Sequence, residues 1–272
     1  MKRSLKAVFA LASVGAMVLT ACGGQSGDSD GEKLRIGTKF DQPGLGLKKG
    51  EELEGFDVDV ATYIAKQLGY EDEQIEWVEA PSEQRETLLQ NNQVDMIVAT
   101  YSITDERAEV VDFAGPYFIS GQDLLVREDE TRIDGPQDLN GLNLCSVSGS
   151  TSAARIKEDF AEEVQLIEQP GYSECLRFLT GGEVDAVTTD DIILAGLAAE
   201  DEEAGLKVVG NPFSEERYGV GIPQGSDKCE EITSAIEEMI EDGSWAEFIE
   251  VNTQGVEYTP SGLNPPSPEG CA

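Results

Sequence analysis

Arg107 stands at the end of the run Ser102-Ile103-Thr104-Asp105-Glu106-Arg107 and offers a planar guanidinium that matches a carboxylate bidentately. It lies just beyond a nearly continuous apolar segment, 94–99, and the crevice past a strand end is where α/β sheets usually hold ligands. Ala99, the Thr100 backbone and Ser102 are placed to add hydrogen bonds. In so acidic a chain Arg107 also has Asp105, Glu106 and Glu109 as surface ion-pair partners, and residue types alone leave both readings open. The run Ser148-Gly149-Ser150-Thr151-Ser152 precedes a helix-like segment. Ser150 and Thr151 cap that helix, or its first N–H groups hold an anion, and the two roles are compatible. Asp190 closes a second apolar segment, 184–189, and either caps the next helix, a job Asp191 can do, or accepts an ammonium. A guanidinium, an N–H cluster and a carboxylate together suit a free amino acid, whose two charges both need partners once buried.

Composition narrows the alternatives. The 272 residues include 19 Lys+Arg, 54 Asp+Glu and no His, for a net charge of −35, which argues against a nucleic-acid groove. Without histidine there is no Ser–His nucleophile, imidazole acid/base or His-ligated metal. The cysteines are widely spaced with no CxxC pair, so neither a metal nor a cofactor is expected. A hydrophobic fraction of 39% in periodic segments points to a globular chain rather than an acidic tail.

Two similar runs of elements must position these groups. In the first, strands are expected at 34–38, 75–79 and 94–99, with a helix capped by Asp57 and striped by Val60, Ile64 and Leu68, and another over 82–90. In the second, strands are expected at 142–147, 164–168 and 184–189, with helices over 152–162, 173–179 and 191–199. Short strands at 206–209 and 218–222 and a helix over 229–240 follow. Alternating strands and helices with continuously apolar strands argue for an α/β class.

Five motifs occur in order: Gly55-Phe56-Asp57-Val58-Asp59-Val60-Ala61, Ser102 to Arg107, Val111-Asp112-Phe113-Ala114-Gly115-Pro116-Tyr117, Ser148 to Ser152, and Asp185-Ala186-Val187-Thr188-Thr189-Asp190-Asp191. Their order and spacing resemble the polar amino-acid-binding proteins of ABC importers, solute-binding proteins of family 3, from about Leu34 to Phe248. Lys39-Phe40-Asp41-Gln42-Pro43-Gly44 further resembles the glutamate-binding proteins of actinobacteria. The resemblance implies a two-lobe, type II periplasmic-binding-protein-like fold with two hinge strands, crossing near Gly121–Leu125 and Arg217–Gly221. It implies one lobe from residues 33–121 and 219–272 and the other from 122–218. It favours Asp190 as the ammonium acceptor. By register, it also places Lys39 and Arg85 against a side-chain carboxylate of the ligand, with Tyr172 as a further contact. Their alternatives are ion pairs to Asp41 for Lys39 and to Glu83 or Glu86 for Arg85. Phe40 covers the ligand's methylenes or packs on Pro43.

The first 21 residues read as a signal peptide: basic Lys2, Arg3 and Lys6, an apolar run, then Leu19-Thr20-Ala21-Cys22, which resembles a bacterial lipobox. That implies cleavage before Cys22, a lipid on its sulfur, and an anchor on the extracytoplasmic face of the cell membrane. Losing three basic and no acidic residues takes the net charge from −35 to −38. Residues 22–32 form a polar tether. An exported chain favours two disulfides among the remaining cysteines, which allow three connectivities. The pairing expected is Cys145–Cys175, between neighbouring elements of one lobe, and Cys229–Cys271, tying the Pro-rich tail to the last long helix. The function expected is a monomeric receptor that captures glutamate, or a related polar amino acid, for ABC permease subunits. Alternatives are a binding or sensor protein for glutamine or aspartate, and an enzyme like the cyclohexadienyl dehydratases.

Overall fold

A computed structural model of the chain describes residues 33–160 and 163–271; the expected signal peptide, Cys22 and the tether lie outside the described residues. Strand β1 (Leu34–Thr38) is followed by β2 (Asp41–Gln42), β3 (Gly46–Lys49), β4 (Glu52–Glu54) and helix α1 (Phe56–Gln67). Next come β5 (Ile75–Glu79), α2 (Arg85–Gln90), β6 (Met96–Ile97), the single turn α3 (Asp105–Ala108) and β7 (Asp112–Ser120). The second run holds β8 (Gln122–Arg127), β9 (Asn143–Val147), α4 (Thr151–Arg155), β10 (Gln165–Gln169), α5 (Tyr172–Thr180), β11 (Ala186–Asp190), α6 (Asp191–Glu200) and β12 (Leu206–Val208). The chain closes with β13 (Glu216–Ile222), α7 (Cys229–Glu241), α8 (Ser244–Asn252) and β14 (Gly270–Cys271).

Among the described residues the strands form three sheets. One runs β14-β7-β13-β6-β1-β5, a second β10-β9-β11-β8-β12, and a small third β2-β3-β4. The alternating strand–helix pattern has produced the parallel centre of each large sheet: β1 lies between β5 and β6, and β9 between β10 and β11. Only Gly121 separates β7 from β8, so one extended run leaves the first large sheet and enters the second. The return falls between β12 and β13, because Glu216 already pairs with Ser120. The expected crossing at Arg217–Gly221 therefore lies within the first sheet, beyond the actual passage between sheets.

Aromatic packing locks the helices onto the crossing strands. Phe56 of α1 packs edge-on against Phe118 of β7 and Trp245 of α8, with ring centroids 5.5 and 6.0 Å apart. The Trp245 indole N–H donates to the Tyr117 carbonyl at 2.8 Å, so this buried polar group is satisfied. Disulfides join Cys145 of β9 to Cys175 of α5, and Cys229 of α7 to Cys271 of β14, as expected. The second returns the tail to β7, where Asn264 also brackets Ile119 through its N–H and C=O.

Three local expectations change. Asp57 does not cap α1: Gly55 holds the N-cap position, and the Asp57 side chain is fully buried, bonded to the Thr100 N–H (2.8 Å) and the Tyr117 hydroxyl (2.7 Å). The helix begins at Phe56, so Asp57 falls inside its first turn, past the capping position, and its carboxylate turns inward. The strand expected over 94–99 shrinks to β6, because the chain turns away at Thr100 with φ 46°. The helix expected over 152–162 is α4 followed by a wider turn at Ile156–Phe160.

Candidate ligand-binding cleft

A narrow cleft opens beyond the strand ends of both large sheets. From the first run, Arg85, Thr100, Ser102 and Arg107 line it; from the second, Ser150, Thr151, Tyr172 and Asp190 do. Lys39, Phe40 and Ala99 do not.

Arg107 is held from several sides. Its α3 turn is capped by Thr104, whose hydroxyl accepts the Arg107 N–H at 3.2 Å. Its guanidinium donates to the Ser102 carbonyl at 2.8 Å and to the Gly149 carbonyl of the second run at 3.1 Å. Glu86 pairs with its Nε at 3.2 Å, so the surface partners expected at Asp105, Glu106 and Glu109 are not used. Two N–H groups of the five remain for a ligand.

Arg85 differs. Only 3% exposed, it donates from Nε to the Ala80 carbonyl at 3.3 Å and lies 5.2 Å from the Tyr101 ring centroid. Among the described residues it makes no ion pair, and the partners anticipated at Glu83 and Glu86 do not reach it. Burial pulls its pKa down, and repulsion from Arg107 adds to the effect. A cation so placed calls for an anion from outside the chain. The Tyr101 ring also faces Arg107, at 4.8 Å, so its π-face softens the juxtaposition of two positive charges.

Lys39, equally buried, sits beside the cleft with its ammonium on Asp41 at 2.9 Å. Burial lowers its pKa, the Asp41 charge raises it, and Arg85 lowers it again. Of the two readings open in the sequence, the structure shows the Asp41 pair. Phe40 is half-buried outside the cleft lining, with the Lys48 ammonium 4.7 Å over its ring. Ala99 serves through its carbonyl, which accepts from the Thr100 hydroxyl at 2.7 Å.

Thr100 keeps its left-handed backbone because the Asp57 carboxylate accepts its N–H. Burial pushes the Asp57 carboxyl up to about 7, while Tyr117, the Thr100 N–H and Arg85 pull it down. On the opposite wall Tyr172 opens α5, and its hydroxyl accepts from Thr189 at 2.6 Å. Asp190 ends β11; its side chain makes no cap for α6 and instead accepts the Tyr218 hydroxyl at 2.5 Å. Burial raises the Asp190 carboxyl to about 8, with Glu216 repulsion adding to it and Tyr218 opposing. An ammonium in the cleft reverses that penalty.

Gln42, Ser82, Ser152, Thr189 and Ile193 also line the cavity and were missed in the sequence. Ser82 lies three residues before Arg85 and Thr189 directly before Asp190, so proximity to identified residues was the one available signal.

A family model of bacterial extracellular solute-binding proteins, family 3, matches residues 34–252. The chain belongs to this family. This family-3 protein is 44% identical over 266 residues to the glutamate-binding protein GluB of Corynebacterium efficiens, covering 91% of this chain and 90% of that one. It is 36% identical to the ABC transporter glutamine-binding protein GlnH of Bacillus subtilis, covering 90% and 96%. Among solved structures, an ancestral arginine-binding protein bound to glutamine matches with a TM-score of 0.76 and 35% identity, over 81% of this chain and 97% of that chain. The fold is the type II periplasmic-binding-protein fold expected. No helix among the described residues is long and apolar enough to cross a membrane.

Proposed function

We propose that the protein is a lipid-anchored, monomeric receptor that closes two lobes over L-glutamate outside the cytoplasm and delivers it to ABC permease subunits. One lobe is built on the six-stranded sheet and the other on the five-stranded sheet, hinged at residues 120–122 and 209–215. Arg107 and the Thr100–Ser102 segment take the α-carboxylate, with the Ser150–Thr151 backbone supporting it. Asp190 takes the ammonium, and Arg85 takes the γ-carboxylate, with Tyr172 against the chain of methylenes. The observation that carries this reading is Arg85: a buried cation lining the cleft with no ion-pair partner among the described residues.

The names of the relatives support the same class, since they divide between glutamate and glutamine binding. A non-catalytic role is supported by the relatives, which are named as binding proteins. Titration calorimetry against the twenty amino acids tests the reading. Glutamate binds tightest, glutamine weaker because it leaves Arg85 unpaired, and aspartate weaker because it is a methylene short. Glutamine binding more tightly than glutamate would overturn it.

A further inference from the structure

Two segments on opposite sides of the cleft meet at a point that the ligand does not occupy. Asp41 of β2 lies two residues after Lys39, whose ammonium holds its Oδ1 at 2.9 Å. Its other oxygen, Oδ2, accepts the backbone N–H of Tyr172 at 2.9 Å. Tyr172 is the first residue of α5, a nine-residue helix whose own N-cap residue, Gly171, has no side chain to offer. The first N–H groups of a helix have no partner inside it. An acceptor from the far side of the cleft has taken the place of a local cap.

The approach is close. A Cβ on Gly171 would stand 2.4 Å from Asp41 Oδ2. Elsewhere across the cleft, a Cβ on Gly149 would meet the Glu83 backbone at 2.5 Å, and one on Gly196 would meet the Pro43 carbonyl at 2.3 Å. Those two contacts are with backbone and cannot be deleted by substitution. The Gly171 contact is with a side chain and can be.

We infer that Asp41 is a positioning residue that latches the closed cleft: braced by Lys39, it caps α5 across the gap and slows ligand release without touching the ligand. The inference rests on the two-lobe closure proposed above, but not on which amino acid fills the cleft. It also gives the Lys39 charge a role, since that ammonium fixes the Asp41 rotamer and favours the ionised acceptor that makes the stronger hydrogen bond.

The test uses stopped-flow binding of L-glutamate and L-glutamine to the full chain. Asp41→Ala is expected to raise the dissociation rate about tenfold, equivalent to ~1.4 kcal/mol, for both ligands alike, with the association rate unchanged. Asp41→Asn retains an acceptor oxygen and stays within about threefold of wild type on the same scale. Gly171→Ala, whose backbone φ of −146° suits any residue, should match Asp41→Ala. The double variant should be no worse than Asp41→Ala, because the added methyl then meets only the flexible carboxylate end of Glu174, at 3.0 Å. An unchanged dissociation rate in Asp41→Ala overturns the latch, as does multiplication of the two effects in the double variant. A loss confined to glutamate also overturns it, because Asp41 would then act through Lys39 on the ligand's carboxylate. If wild type binds neither ligand, the glutamate reading fails, and the latch is decided by amide exchange at Tyr172. Slower exchange in wild type than in Asp41→Ala supports it, and equal exchange overturns it.

Discussion

Replacing Arg85 by methionine removes the charge while keeping most of the side chain's volume, which makes it a clean probe of ligand choice. The guanidinium is 3% exposed, unpaired among the described residues, and within reach of a second buried cation. A γ-carboxylate enclosed with it forms a desolvated ion pair. Removing one partner of such a pair leaves the other charge buried alone, at about 3–5 kcal/mol. At 1.4 kcal/mol per decade, glutamate affinity should fall roughly two to three and a half decades. Glutamine has no charge to strand and should change less than about fivefold, well under one decade. The order of the two ligands therefore inverts. Competition calorimetry of both ligands on both proteins reads the inversion directly. The variant should also melt higher than wild type without ligand, since the buried cation is destabilising until an anion arrives. Glutamate affinity within about threefold of wild type, or an equal loss for both ligands, would refute the assignment of Arg85 to the γ-carboxylate.

Arg107→Ala should abolish binding of every amino acid, at about 3–5 kcal/mol, because all share the α-carboxylate it meets; retained micromolar affinity in calorimetry would exclude that role. Asp190 sets a pH dependence. Burial pushes its carboxyl up to about 8, against the ordinary aspartate value of 3.8, so the ligand-free native state holds a proton that the unfolded chain has lost. Its contribution to ligand-free stability is therefore greatest at low pH and is lost as pH rises from about 4 to about 8, as melting scans should show. Ligand affinity should move the opposite way, rising between pH 6 and 8 with net proton release seen as buffer-dependent binding enthalpy; a falling affinity would count against an ammonium at Asp190. Opening the Cys229–Cys271 link with serines at both positions should cost about 2–4 kcal/mol for a loop of this length, and an unchanged melting temperature would show that the tail does not hold α7 to β7. With a net charge of −35, the chain repels an anionic ligand at long range, so added salt should raise the glutamate association rate; a rate that falls with salt would mean that local cations dominate the approach.

Where apolar periodicity was strong, the fold was legible. Val60 and Ile64 are buried on α1 as their spacing requires, and the continuous 184–189 run became β11, buried at every position. Both disulfides followed from elements that turned out to be neighbours. The small sheet β2-β3-β4 was not seen, because its strands have two to four residues and half-exposed sequences with no clear alternation. Asp57 was misread because a carboxylate before an apolar stripe looks the same whether it caps a helix or is buried by one. In the cleft, charged residues were legible because a cation near a strand end is uncommon in a chain this acidic. Gln42, Ser82, Ser152, Thr189 and Ile193 were not, since neutral residues acquire a role only from what faces them. Lys39 marks the boundary: the sequence left its charge between the ligand and Asp41, and only coordinates could show it turned to Asp41.

On the proposed assignment, the charges of the cleft would let so acidic a protein select an acidic ligand. Two guanidinium groups and one carboxyl line the cleft, a net of one positive charge when Asp190 is ionised. Glutamate, with two carboxylates and one ammonium, brings one negative charge and leaves the enclosed set neutral. Glutamine leaves the positive charge standing, and arginine doubles it. The neighbouring acids do not cancel this selection, because each is already committed: Asp41 to Lys39, Asp57 to Thr100 and Tyr117, and Glu86 to the Nε of Arg107. These groups hold the cations in place while leaving Arg85 for the ligand. The surface charge acts through solvent and is screened over about 8–10 Å, whereas the cleft acts at contact distance in a medium of low dielectric. Selectivity therefore follows the few enclosed charges rather than the many exposed ones.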